Sequence, residues 1–255
     1  MSERESDVYG TIGPSSARDA LVALRNIEHL VRSPRVDHRV VEELLPELLS
    51  GLDALDTFFE CGGGECPGEQ VGALASASVG ATRVAILGFS GPKRVNARLA
   101  LERALRQEVR VLEGCVEVCD LCRRASEGQS TELTLRDVLG LVLRPGRGEG
   151  HLFVAIQDDP LPFVCDTTVA AWLVRVLLQR APAGSQVVAA LGDRGPELVV
   201  SRADDPPRGE SMVPRVPGPH VALAVAARLA ERMGCELRDG ERSSLRFPSS
   251  DGPRI

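Results

Sequence analysis

Aromatic residues are scarce: six Phe, one Tyr and one Trp in 255 residues, 3% of the chain. A core with so few rings must be filled by Leu, Val and Ala, which suits helices packed on helices or on a sheet. Lysine is nearly absent too. Lys93 is the only one, so arginine carries the positive charge and lysine-dependent chemistry is excluded everywhere else. Basic charge is not in excess. Thirty Lys and Arg against 36 Asp and Glu leave a net charge of -6, which argues against nonspecific nucleic-acid binding, a process run by clustered positive charge. No run of roughly 18–20 uninterrupted apolar residues occurs, and MSERESDVYG lacks a basic region followed by an apolar one. The expectation is a cytoplasmic protein with no membrane contact.

Seven cysteines, an odd number without an export signal, make a disulfide framework a poor fit. Cys115, Cys119 and Cys122 stand at i, i+4, i+7, which sets three sulfurs on one helix face. Two readings are open: small residues filling a buried seam, or a metal, iron–sulfur or redox sensor. Cys61 and Cys66, in CGGGEC, sit at the wide end of zinc-pair spacing with no histidine nearby and no second pair, so we expect no metal site there.

Along the chain, residues 1–14 read as a polar tail. Residues 15–67 read as a helical segment. Ala20, Leu21, Leu24, Ile27, Leu30 and Val31 recur at helical spacing, and after Ser33-Pro34 a broad stripe from Val40 to Phe59 follows, with Pro46 predicting a kink or a late start. Residues 68–127 read as a second hairpin, with a small-residue helix over 71–89 and a long helix from Lys93 to about Ser126. The stripe of the long helix runs through Val95, Leu99, Leu105, Val109, Leu112, Val116, Cys119 and Leu121 and asks for a partner helix. Residues 127–131 read as a linker.

From there to residue 250 helices and strands alternate. A short helix falls in 133–143, strands at 152–156 and 163–164, and a helix over 167–181. Strands at 186–191 and 197–201 are joined by the turn 192–195. A proline-rich stretch covers 202–218, a helix spans 221–233, and a hairpin combines 236–238 with 244–247. That order is an α+β sandwich, helices on one face of a mixed sheet.

The last 120 residues resemble the ATP-binding domain of sensor histidine kinases, the GHKL or Bergerat-type fold. Gly218–Cys235 (GPHVALAVAARLAERMGC) parallels the family run G-x-G-L-G-L-A-I-A-R-R-I-A-E-x-x-G-G. PLPFVCD at 160–166 and WLVRVLLQRA at 172–181 are similar to the helix D-x-x-x-L-x-x-V-L-x-N-L-L-x-N-A. ELVVSRADD at 197–205 falls where a strand runs into D-x-G-x-G. Within 68–127, Leu74–Ser78 with Val84–Phe89, and Val118–Arg124, resemble the two helices of the family's dimerisation and phosphotransfer hairpin.

The departures fall on the chemistry. Arg180 stands where the family's magnesium-binding asparagine would, and Val176 where the earlier asparagine would. A guanidinium has five donors and no acceptor, so it cannot ligate a cation. The adenine-binding aspartate falls near Arg202, or at Asp204 or Asp205 with a shifted register, without the accompanying glycines. In the phosphate loop Gly218 remains, while His220 and Ala222 replace glycines whose bareness lets backbone N–H groups approach phosphate. Arg180 and His220 contacting phosphate directly is the alternative. The acceptor position holds Val79 and Gly80, not histidine. The candidates elsewhere are His29 and His38, and His38-Arg39-Val40 is similar to the H-R-V-K-N-N-L box of another subfamily, with Glu42 and Glu43 replacing the polar pair, which makes His38 the phosphoacceptor candidate of the two. His151 reads as a structural residue.

The resemblance therefore implies helical hairpins in a four-helix dimer bundle followed by a degenerate GHKL sandwich. The function expected is that of a histidine-kinase-like pseudokinase or docking scaffold in two-component signalling. It would form a homodimer and meet a response regulator or partner kinase, with no cofactor unless the divergent pocket still takes ATP and magnesium. An active divergent histidine kinase or phosphotransferase, and a cysteine-based redox or metal sensor, are the alternatives.

Overall fold

The structure is a computed structural model describing residues 14–61, 69–89, 94–143, 153–156, 162–179, 185–192, 195–201, 219–240 and 242–249. Its chain divides into two compact units, residues 1–120 and 121–255, the division falling inside a helix. A helical N-terminal region precedes an α/β sheet unit, so the class is α+β as expected.

Unit 1 is four helices: α1 (Pro14–Arg32), α2 (His38–Cys61), α3 (Glu69–Phe89) and most of α4 (Arg94–Glu127). Each owes its place to one apolar stripe. In α1 the buried residues are Ala17, Ala20, Leu21, Leu24, Ile27 and Val31; in α2 they are Val41, Leu45, Leu48, Leu52, Leu55 and Phe58. These are i, i+3, i+4 series, and each fully buried Leu is worth about 1.5–3 kcal/mol in transfer free energy. Pro46 lies inside α2 on its exposed side, so α2 starts before it and runs through it. The α4 stripe holds as expected at Leu105, Val109, Leu112, Val116 and Leu121 and differs at its start. Leu101, Leu105, Val109, Leu112, Cys115 and Val116 are buried, while Leu99 is 49% exposed. Counting back from Leu105 by one turn reaches residue 101; residue 99 lies about 240° away round the helix.

α1 packs on α2, and α2 on α3. Ion pairs follow the same order. Arg83 of α3 reaches Asp53 at 2.6 Å and Asp56 at 3.0 Å on α2. Arg18 meets Asp120 at 2.9 Å, Arg25 Nη2 donates to Glu113 at 2.6 Å, and Glu28 lies 3.9 Å from Arg106, which joins α1 to α4 in antiparallel register. The Cys115 thiol points at the Val71 carbonyl at 3.9 Å, bringing α4 against α3. Arg98 of α4 donates three hydrogen bonds to the α1–α2 turn, to Val31 O at 2.9 Å, Ser33 O at 2.7 Å and Val36 O at 2.9 Å.

By length and composition one described helix reaches what a membrane span needs: 71–89 has a mean hydropathy of 1.4, because its interruptions are Ser, Gly, Thr and the single Arg83. Within unit 1 this helix is a packed bundle member. Val71, Ala75, Val79, Ile86 and Phe89 are buried with Ser78 and Thr82, whose hydroxyl donates to the Ser78 carbonyl at 2.9 Å. Val84 and Leu87, on the opposite face, are 70% exposed.

Unit 2 holds β1 (Thr131–Thr134), α5 (Leu135–Val142), β2 (Phe153–Ile156), β3 (Pro162–Cys165), α6 (Thr167–Gln179), β4 (Gln186–Gly192), β5 (Gly195–Ser201), α7 (Pro219–Arg232), β6 (Glu236–Arg238) and β7 (Arg242–Arg246). The main sheet runs β2-β4-β5-β7-β6, with β2 parallel to β4 and every other pair antiparallel. Val187, Ala189, Leu198, Val200 and Leu245 form its buried face, beneath Val169, Leu173, Val176 and Leu177 of α6 and Ala222, Val225, Ala226 and Leu229 of α7. The stretch read as leading straight into a helix at 133 is instead β1, paired antiparallel to β3. A four-residue strand made by a long-range partner leaves too little alternation to read locally. Thr134 closes β1 and caps α5: it accepts from Asp137 N while the Asp137 carboxylate accepts from Thr134 N. At the β4–β5 turn Gly195 has φ of +135°, and a Cβ there would come within 2.3 Å of the Phe247 carbonyl oxygen.

Candidate functional site

The sites expected for nucleotide lie around the C-terminal end of α6 and the N-terminal end of α7. α6 is set by Asp166, whose Oδ1 accepts from the Thr168 and Val169 N–H groups at 2.8 and 2.9 Å. This is an N-cap bond, and an Asp-Thr-Thr run before an apolar stretch is the sequence signal that announces it. Arg124 Nη1 lies 3.8 Å from Asp166 Oδ2, so the buried carboxylate faces a cation as well as the helix N-terminus. The body of α6 is apolar nearly all round, with Val169 to Val174 buried and Trp172 1% exposed.

At the far end of α6, Gln179 Nε2 is buried without a hydrogen-bond partner. Ser185, which opens the chain into β4, is fully buried and its hydroxyl is likewise without a partner. These two atoms flank the segment carrying Arg180. Arg180, Asp204, Asp205 and Gly218 lie outside the described residues, as do Cys66 and His151.

α7 begins at Pro219, with His220 in its first turn. Proline suits a first helical position because an N–H there has no intrahelical acceptor. It also removes one of the donors that make a helix N-terminus attractive to an anion. Ala222 is 3% exposed and continues the buried stripe Val225, Ala226, Leu229. Its methyl belongs to the core and not to the turn. Beyond the end of α7 at Arg232, Gly234 takes φ +69° and Cys235 N donates to Ala230 O at 2.7 Å.

His38 stands at the start of α2, in unit 1. Its ring stacks on Phe89 with centroids 4.3 Å apart. Nε2 is enclosed, without a hydrogen-bond partner and 3.4 Å from Glu42 Oε1. A phosphoacceptor needs a nitrogen open to in-line attack on phosphorus. His29 is exposed in the last turn of α1.

Of the cysteine triplet, Cys115 and Cys122 are buried and Cys119 is half-buried. Among the described residues no group of three His, Cys, Asp or Glu side chains is arranged to hold a metal. A different cysteine pair, not singled out by spacing, is brought together by the fold. The Cys165 side chain hydrogen-bonds to that of Cys235, and this bond together with burial holds the Cys235 thiol far above the usual thiol range. A buried thiol held protonated, as that of Cys235 is, is neither a nucleophile nor a ready metal ligand.

No protein-family model matches the chain, and no curated protein matches it. Among solved structures it is similar to the histidine kinase AdeS of Acinetobacter baumannii, at 15% identity and a TM-score of 0.45, over 70% of this chain and 96% of that one. It is similar also to a histidine kinase from Burkholderia phymatum STM815, at 19% identity and a TM-score of 0.33, over 71% of this chain and 97% of that one. The catalytic domain of the histidine kinase ThkA gives 14% identity and a TM-score of 0.30, over 48% of this chain and 97% of the domain. The likeness is to histidine kinases.

Proposed function

We propose that this is a histidine-kinase-like signalling protein that docks a response regulator or a partner kinase and does not transfer phosphate from ATP. The observation that carries the reading is the start of α7, where Pro219 removes a backbone donor from the helix N-terminus that a phosphate would need, and where His220 stands in the sequence in place of a family glycine. Arg180 in place of the magnesium-binding asparagine, and Val79 and Gly80 in place of the acceptor histidine, support it from the sequence. The enclosed Nε2 of His38 supports it from the helical unit. The residues do not fit a magnesium-nucleotide as the family holds one, because a guanidinium repels the cation it would replace a ligand for. We place the protein in the cytoplasm on the same reading.

The test is nucleotide titration by calorimetry, followed by incubation with labelled magnesium-ATP. The expected result is no saturable heat at millimolar nucleotide and no acid-labile phosphate on the protein. Micromolar binding, or label lost in His38→Ala but not in His29→Ala, would establish the divergent kinase instead.

A further inference from the structure

We propose that the hairpin at residues 14–61 takes, within one chain, the place a second subunit would otherwise take: α1 and α2 close the four-helix bundle around α3 and α4. This inference concerns unit 1 alone and stands or falls independently of whether nucleotide binds.

Contacts run round a ring. α1 packs on α2 and α2 on α3, Cys115 joins α3 to α4, and three ion pairs join α4 back to α1. Four helices with one apolar stripe each need no fifth to bury those stripes, and a chain that supplies all four needs no second copy.

Two features show that the occupant of this place is α1–α2 rather than another α3–α4 hairpin. The first is charge. Along α4 the groups Arg106, Glu113 and Asp120 run basic, acidic, acidic; along α1 the facing groups Glu28, Arg25 and Arg18 run acidic, basic, basic. A second α3 offers no such ladder, since Arg83 is the only charge in 71–89 and it is held by Asp53 and Asp56. The second is size. The buried face of α3 is small around its middle, with Ala75, Ser78, Val79 and Thr82, and α2 brings Leu48, Leu52 and Leu55 to the same bundle. Two copies of α3 facing each other would set small residues against small ones and leave voids, which interiors avoid.

Arg98 then fixes the closed end by gathering the carbonyls of the α1–α2 turn onto α4. A bundle closed this way does not exchange hairpins with a partner kinase, so partners must meet its outer faces. On this reading the helical unit closes within one chain, and the homodimer expected from the hairpin pattern would form through another surface.

The test is a proximity cross-link in the full-length protein carrying Arg25→Cys and Glu113→Cys, at low micromolar concentration, with a short bis-maleimide. The same treatment of the unsubstituted chain accounts for its seven native cysteines. An equal mixture of isotopically light and heavy chains, unfolded and refolded together, distinguishes links within a chain from links between chains. Circular dichroism and a sharp melting transition show that the double variant folds. The expected product is a cross-linked 27.3 kDa chain whose linked peptides are all light or all heavy. Hybrid peptides at about half of the total, the statistical share for an intertwined dimer, would overturn the proposal, and so would the absence of any 25–113 link. A dimer by light scattering with only within-chain links supports it, because association then uses another surface.

Discussion

Arg98 offers the sharpest test of how the helical unit is held. Its guanidinium meets three carbonyls of α1 and the following turn at 2.7 to 2.9 Å, from a partly buried position, and of these Ser33 O also accepts from Val36 N at 3.2 Å. Hydrogen bonds to a charged donor are worth about 1.5–3 kcal/mol each, but near a surface water takes up part of what is lost, so the three together should amount to about 2–4 kcal/mol. Arg98→Met keeps the apolar stem and removes every donor. Unit 1, at 120 residues, falls between the sizes for which each kcal/mol moves a melting temperature by about 4–8 °C and by about 2–4 °C, so at roughly 4 °C per kcal/mol a shift of about 8–16 °C is expected. The assay is differential scanning calorimetry of the whole chain, with Trp172, the only tryptophan and buried in unit 2, as a separate fluorescence reporter. Only the unit 1 transition should move. Arg98→Lys separates charge from shape: an ammonium keeps the charge but not the planar fork, and most of the loss should persist. A Lys variant that melts like the wild type, or a Met variant shifted by less than about 2 °C, would refute the reasoning.

In unit 2, Phe163→Ala should cost about 3–5 kcal/mol, because the ring is fully buried and stacked on Phe247 at 4.1 Å; it should be read by urea unfolding followed at Trp172. The α5 capping box gives a pH prediction. Hydrogen bonds from the Thr134 hydroxyl and backbone N–H hold the Asp137 carboxyl below its ordinary value, so its folded pKa is the lower one. Its contribution is complete above the ordinary carboxylate range and is lost as pH falls through the depressed pKa. The stability gap between wild type and Asp137→Ala should therefore be constant from neutral pH down to the ordinary carboxylate range and close below it, as followed by thermal melts at stepped pH.

The long helices were legible because each carries its burial in its own spacing: a stripe such as Leu48, Leu52, Leu55 needs no knowledge of its partner. Strands β4 and β5 were legible for the same reason. What spacing withheld was whatever a distant residue decides. β1 exists because β3 pairs with it, and Leu99 is outside the core because α4 turns Leu101 inward instead. The same limit governs chemistry. Cys115, Cys119 and Cys122 share a face by arithmetic, yet no described metal-holding group includes them. Cys165 and Cys235, 70 positions apart, are a pair whose side chains meet. Their meeting follows from topology. β3 lays Phe163 on Phe247 just past β7, β6 runs antiparallel beside β7 so that its N-terminal end faces the same region, and Cys235 immediately precedes β6. A spacing rule reads only what one element can know about itself, and a site assembled from three elements becomes readable once the register between them is fixed.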